Sequence, residues 1–282
     1  MMGATRVMDQ EWDHLLVLDA CRYDYFEKMH GGYLDGTLRP VTSCGSNTAE
    51  WRDRNFTGFY PDVVYVSANP YINSKHMVRG GFVGNRFHKV VDVWDSHWNA
   101  GLGTVHPSSV NESALRRLRL DPGRRLIVHY LQPHCPYIGA QPRGTGYAPQ
   151  APGSRTVLNE MQGPTNAGWL MGLAMSASRT PPFNRLLTES RLWWVGRALR
   201  SEPMTPMEAY WRLHGPGGLR EAYERNLALV LGYVSELVSE LSGTVVVTSD
   251  HGELLGERGR YSHGYGRDEP ELLTVPWLTL QA

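Results

Sequence analysis

Cysteine is scarce in this chain of 282 residues: only Cys21, Cys44 and Cys135 occur, far apart. No zinc-knuckle spacing and no disulfide framework can be drawn from three such scattered positions. Excess charge is missing too, because Lys plus Arg and Asp plus Glu each total 28 and the formal net charge is zero. A protein held to nucleic acid by bulk electrostatics carries a basic surplus, so no nucleic-acid partner is expected. Long apolar runs are also lacking, none approaching the roughly 18–20 residues that span a bilayer. The opening segment "MMGATRVMDQEWDHLLVLDA" has a short apolar run that carries His14 and ends in an aspartate. That is not the layout of a signal peptide. Together these absences predict a reducing, cytoplasmic setting. What is plentiful is glycine, at 30, and tryptophan, at nine, which suits a folded, loop-rich protein.

Buried strands alternate with helices along the chain. "HLLVLDA" (14–20), "DVVYVSANP" (62–70), "HKVVDVW" (88–94), "RRLIVHYLQPH" (124–134), "GTVVVTSDHG" (243–252) and "TVPWLTL" (274–280) read as strands, most of them near-continuous apolar runs. "SALRRLRL" is a short basic helix. From 218 to 241, Leu227, Val230, Leu231, Val234, Leu237, Val238 and Leu241 recur every three or four residues and predict a helix with one buried stripe, closed by Gly243. This alternation predicts one α/β domain over 1–282 with a mostly parallel sheet. Residues 140–217 break the rhythm, with a Gly, Pro and Ser-rich stretch and then two apolar islands, 169–177 and 191–200. They read either as a lid or specificity insertion or as a small subdomain packed on the sheet.

Ligands of open parallel sheets bind beyond the carboxyl ends of the strands, and here those ends carry chemistry. Asp19 follows the first strand, His134 the "LIVHYLQP" strand, and the Asp250–His251 pair the late strand, with His263 a short loop further on. A carboxylate beside an imidazole is half of a site for a divalent ion such as zinc or manganese. Each has a plainer reading. Taken alone, Asp19 reads best as an N-cap for "CRYDYFEKM", while Asp250 as a turn cap, His134 as bonded to backbone and His263 as a loop histidine are readings on a par with that of a ligand. In "VTSCGSNTAEW" (41–51), Thr48 stands near a helix start, either as its N-cap or as a hydroxyl in the positive field where oxyanions bind.

"LDACRYD", "SCGSNTAEW", "YLQPHCPY", "TSDHGELLGERGRYSHG" and "VPWL" occur in the order found in the alkaline phosphatase superfamily and resemble its sulfatase-like branch, over about 12–138 and 218–280. The resemblance implies an alkaline-phosphatase-like three-layer sandwich, with helices on both faces of the sheet. "SCGSNTA" is similar to the nucleophile segment Ser-Cys-Gly-Thr-Ala-Thr-Ala of the phosphoethanolamine transferases, which puts Thr48 in the nucleophile's place. Asp19, Asp250 and His251, with Thr48, fall on metal ligands. His134 and His263 are implied to contact the transferred group or a second metal. The formylglycine motif Cys-x-Pro-Ser-Arg of true sulfatases is not matched, since Thr48-Ala49-Glu50-Trp51-Arg52 stands there.

The resemblance implies a hydrolase or transferase that needs one or two divalent ions, zinc first, with manganese or calcium also admissible. It acts on a small-molecule, lipid or glycan phosphate or sulfate ester through a covalent Thr48 intermediate. Arg22 and Arg52 are candidate anion contacts, although arginines on surface helices are usually solvated. Two other classes stay open: a family member that only binds an anion, and a membrane-surface protein using the Trp- and Arg-rich stretch within 169–200.

Overall fold

A computed structural model describes residues 3–75, 83–139 and 205–282. Seven strands build the main sheet: β1 (His14–Asp19), β2 (Thr37–Thr42), β3 (Tyr60–Ser67), β4 (Phe87–Asp92), β5 (Arg125–Pro133), β6 (Thr244–Ser249) and β7 (Thr274–Gln281). Their order is β2-β7-β6-β1-β5-β3-β4. Only β7 runs against the rest, antiparallel to both β6 and β2. The mostly parallel sheet expected from the sequence is therefore present.

The central strand β1 shows how the layers arise. All six of its residues are buried, because its neighbours β5 and β6 are parallel and both faces are covered. Leu16 and Leu18 point to one face, where they meet Phe26 of α1 (Tyr23–Met29), Val110 and Ala114 of α3 (Pro107–Leu120), and the Leu227, Val230, Leu231 and Val234 stripe of α4 (Pro206–Val238). Leu15 and Val17 point to the other, against Trp51 of α2 (Thr48–Asn55), Phe56, Trp12 and Trp277. Among the described residues, α1, α3 and α4 cover one face, and α2 with several aromatics covers the other.

Several elements differ from expectation. The strand β2, unread in the sequence, is a largely exposed edge containing Pro40, where a missing N–H is tolerated. The 218–241 helix starts earlier, at Pro206, where Thr205 accepts from the Glu208 amide, and kinks at Gly215 (φ 65°) before Pro216. It stops at Val238, so Gly243 (φ 92°) shapes the entry to β6 instead of capping it directly. The short basic helix is a full α3, begun by Pro107 with His106 as its cap. The strand expected over 88–94 gives way at Val93 to a single helical turn. Within the insertion, residues 140–204, with both apolar islands, lie outside the described residues; Thr205 caps α4 and 206–217 belong to it. Among the described residues, no helix is long and apolar enough to cross a membrane.

Candidate metal centre

The parallel strands β1, β3, β5 and β6 deliver their carboxyl ends to one edge of the sheet. A register shift between Leu18 and Asp19 lets Asp19 pair with Pro133, and the His134 amide then donates to the Asp19 carbonyl at 3.1 Å. Ala20 follows with φ 59°, a left-handed conformation that a residue with a Cβ resists. Both its backbone groups are held: its N–H donates to Asp250 Oδ1 (3.1 Å) and its carbonyl accepts from the Tyr223 hydroxyl (2.7 Å). Asp19 does not cap α1, whose N-cap is Arg22 with no side-chain bond.

Thr48 is the first residue of α2, and the capping is done by its neighbour. Asn47 Oδ1 accepts from the Glu50 amide at 3.0 Å, which leaves the Thr48 hydroxyl for other work. Glu50 ties the loop down, accepting from Ser46 N (3.0 Å), Ser46 Oγ (2.7 Å) and Gly266 N (2.9 Å). Gly45 is required by close approach, since a Cβ there would lie 2.3 Å from the Trp51 amide nitrogen.

These elements bring Asp19, Thr48, Asp250 and His251 together, all buried. Thr48 Oγ1 donates to Asp250 Oδ2 at 2.7 Å and lies 3.4 Å from His251 Nε2. His251 Nε2 is 3.5 Å from Asp19 Oδ1 and 3.4 Å from Asp250 Oδ2. Asn69, just past β3, donates to Asp19 Oδ2 (2.7 Å) and toward Thr48 Oγ1 (3.3 Å). In the sequence, Asn69 only ends the strand segment before Pro70 and carries no ligand signal.

A second group adjoins the first. His263 Nδ1 lies 3.1 Å from Glu253 Oε1, and His134 Nε2 lies 3.8 Å from Glu253 Oε2. The rings of His251 and His263 are 4.3 Å apart, so the two groups share a wall. Glu253 was missed from the sequence, though it stands two residues past His251. A two-stranded hairpin, Leu254–Leu255 with Tyr261–Ser262, folds His263 back onto it, and Ser262 just before His263 is left-handed (φ 66°). Arg22 and Arg52 are buried and committed elsewhere. Arg22 pairs with Asp24 and Glu257, and Arg52 pairs with Asp53 and donates to the Tyr71 carbonyl.

The charges are in tension. Burial, then the Asp250 carboxylate, pushes the Asp19 carboxyl well above the ordinary range. Burial also acts to raise Asp250, but this carboxyl is held low, with the Thr48 hydroxyl and the Ala20 amide donating to it. Burial pushes His251 down to about 4, so its ring is neutral. Glu253 is held low against burial by His263, His134 and His251. His134 is raised against burial by Cys135, Asp19 and Glu253.

A divalent cation fits this chemistry. The Gly252 carbonyl can only accept, and His251 Nδ1 lies 2.8 Å from it, so Nδ1 carries the proton and Nε2 presents a lone pair. That lone pair faces two carboxylate oxygens, an arrangement that repels unless a proton or a cation lies among them. Asp19 Oδ1 and Glu253 Oε2 are buried without a hydrogen bond, which costs about 1–3 kcal/mol or more for a charged group. Asp19, Asp250 and His251 form one set of ligand atoms within 4.8 Å of one another, and His134, Glu253 and His263 form another.

Comparison with protein-family models finds no match, and comparison with curated protein sequences finds none. Solved structures do match. The integral membrane lipooligosaccharide phosphoethanolamine transferase A (EptA) of Neisseria meningitidis superposes with a TM-score of 0.52 at 13% identity, over 95% of this chain and 47% of that one. BT1596, a 2-O GAG sulfatase, gives 0.51 at 13% identity over 96% and 65%. The C-terminal periplasmic domain of Escherichia coli EptC in complex with Zn gives 0.50 at 12% identity over 99% and 75%. The chain thus spans about half the length of the meningococcal transferase. The fold is that of the alkaline phosphatase superfamily. Within it, the fold is that of the sulfatase-like branch, as the motifs imply.

One expectation is corrected by these matches. A cytoplasmic setting does not stand, because the fold recurs in a periplasmic domain and an integral membrane protein. The three cysteines are free and buried in separate places, so their lack of pairing reflects position and says nothing about compartment.

Proposed function

We propose that the protein is a metal-dependent enzyme that hydrolyses or transfers phosphate or sulfate esters, with Thr48 as nucleophile. The observation that carries this reading is the Thr48 hydroxyl, relieved of capping by Asn47 and placed against Asp250 and His251. Asp19, Asp250, His251 and Thr48 Oγ1 would hold one divalent ion, and Glu253, His134 and His263 a second. Zinc suits these donors best, with manganese or calcium also compatible. Such ions would acidify the Thr48 hydroxyl and neutralise charge on the transferred group.

The chain's own residues do the rest. Asp250 Oδ2 accepts the Thr48 proton in a hydrogen bond and aims the oxygen, while the N-terminal end of α2 adds a positive field. Thr48 Oγ1 bonds to phosphorus as the ester oxygen departs. The proton lost by Thr48 is balanced by one taken up, through solvent, by the leaving oxygen. Water or an acceptor hydroxyl then displaces Thr48 and restores its hydroxyl. Sulfate esters would follow the same course at sulfur. The substrate is a small-molecule, lipid or glycan ester. A role for 140–217 in selecting it is supported by the described end of that segment: Tyr210 of α4 packs on Tyr137 in the His134 turn, ring centres 5.6 Å apart.

The test is turnover of p-nitrophenyl phosphate monoesters, diesters and sulfate by protein stripped of metal and then reloaded. Hydrolysis is expected to vanish on stripping and return with zinc. Equal turnover by stripped and reloaded protein would refute the proposal.

A further inference from the structure

Strand β5 carries a histidine where its neighbours are apolar. His129 is fully buried, pairs across the sheet with Val17 and Ser67, and lies edge-on to Trp51, ring centres 5.9 Å apart. A polar ring there is costly unless its polar atoms are satisfied. Its Nδ1 lies 2.9 Å from the Tyr65 hydroxyl of β3. Its Nε2 has no hydrogen-bond partner, and 3.8 Å away stands Asp250 Oδ2, the oxygen that accepts from Thr48.

The tautomer follows from these neighbours. A neutral imidazole has one donor and one acceptor. Tyr65 can donate to Nδ1, and a carboxylate oxygen can only accept, so the proton belongs on Nε2, aimed at Asp250. At 3.8 Å that donor is held in reserve while the Thr48 hydroxyl occupies Oδ2. Once Thr48 is deprotonated or esterified it can no longer donate, and a buried carboxylate oxygen would lose its hydrogen bond. Carboxylates that bind metals are themselves held by outer donors, and losing one typically weakens metal binding or activity 10–100-fold.

We propose that His129 is a positioning residue for the Thr48–Asp250 pair. Tyr65 fixes its tautomer, and its Nε2–H holds Asp250 Oδ2 when Thr48 turns to the substrate. The inference rests on the reading of Asp250 as a ligand and Thr48 as nucleophile. Its test therefore has an arm that does not depend on the Thr48 chemistry.

Metal-free protein is titrated calorimetrically with zinc as wild type, His129→Phe, His129→Gln and Tyr65→Phe, each with Thr48 intact and with Thr48→Ala. The Thr48-intact forms, and Thr48→Ala alone, are also assayed for kcat and KM. His129→Phe is expected to weaken zinc binding about tenfold or more on both backgrounds, and to lower kcat by a similar factor with KM within twofold. His129→Gln, whose amide can reach the same oxygen, is expected to recover most of both, and Tyr65→Phe to show a smaller loss. Should His129→Phe fail to fold, Tyr65→Phe, which removes a single oxygen, carries the test with His129→Gln. Zinc affinity within twofold of wild type in the folded His129→Phe and Tyr65→Phe proteins would overturn the proposal. Full turnover by Thr48→Ala would refute the nucleophile while leaving the zinc comparison to judge His129.

Discussion

The Asp19 carboxylate lies 3.5 Å from the neutral His251 ring, with Oδ1 unbonded and Asp250 and Glu253 adding like charge. In the metal-free protein its ionisation is opposed. Its folded pKa is raised above the ordinary value near 3.8. Below that value the folded and unfolded chains are both protonated, and the stability it contributes is fully present. Above it the unfolded chain has shed its proton while the folded one retains it, so stability falls as pH rises through the folded pKa. Asp19→Asn keeps the acceptor for Asn69 and removes the charge. Thermal unfolding of the metal-free variant is expected to show a higher Tm than wild type at pH 8, no gain near pH 3, and no response to zinc at this site. A lower Tm at pH 8 would show that Asp19 is not destabilising. At this scale much was legible. Asp19, His134, Asp250 and His251 stood out because polar residues end apolar strands, and Thr48 because small residues precede a helix. Glu253, Asn69 and His129 were not. Glu253 becomes a partner of His263 only through the returning hairpin, Asn69 looks like any turn residue, and His129 is hidden in an apolar run.

Helix α2 and the turn after β6 fix the site by close approach of backbones. A Cβ on Gly252 would stand 2.0 Å from the Glu271 carbonyl oxygen, which is backbone and cannot swing aside, and the Gly252 amide donates to the Leu272 carbonyl. Gly252→Ala must therefore shift the turn that carries His251 on one side and Glu253 on the other. Loss of zinc affinity together with a lower Tm is expected. A calorimetric titration matching wild type would show that the turn relaxes without moving its ligands. Elements with strong periodicity were legible, such as β1, β5, β6 and the stripe of α4. The strand β2 was not, because "TLRPVT" is exposed along much of its length and is defined by its partner β7. The start of α4 was hidden by Gly215 and Pro216, which read as a break but produce only a kink.

Across the whole molecule, ligands come from β1, α2, β5 and β6 and from the loops after them, so binding an ion ties together segments far apart in sequence. A ligand that binds only the folded state adds about 2.7 kcal/mol at a hundred times its Kd. For a domain of this size that corresponds to a rise in Tm of about 4–5 °C. Zinc added to stripped protein is expected to give such a rise in differential scanning calorimetry, and an unchanged Tm would speak against a built metal centre. The sheet order and both covered faces agree with the α/β reading because they follow from apolar strands alternating with helices. The compartment does not follow from such patterns, since the same fold serves on a membrane protein and in a periplasmic domain.

Thr48 as the covalent nucleophile is tested most directly by trapping it. Zinc-loaded protein is mixed with a turned-over ester, quenched in acid, weighed intact by mass spectrometry and digested. A phosphoryl-sized adduct (sulfuryl-sized for a sulfate ester) is expected on the peptide spanning 41–52, mapped to Thr48 and absent from Thr48→Ala, whose rate should fall by several orders of magnitude. An adduct on Ser43 or Ser46, or a Thr48→Ala variant turning over at the wild-type rate, would contradict the account.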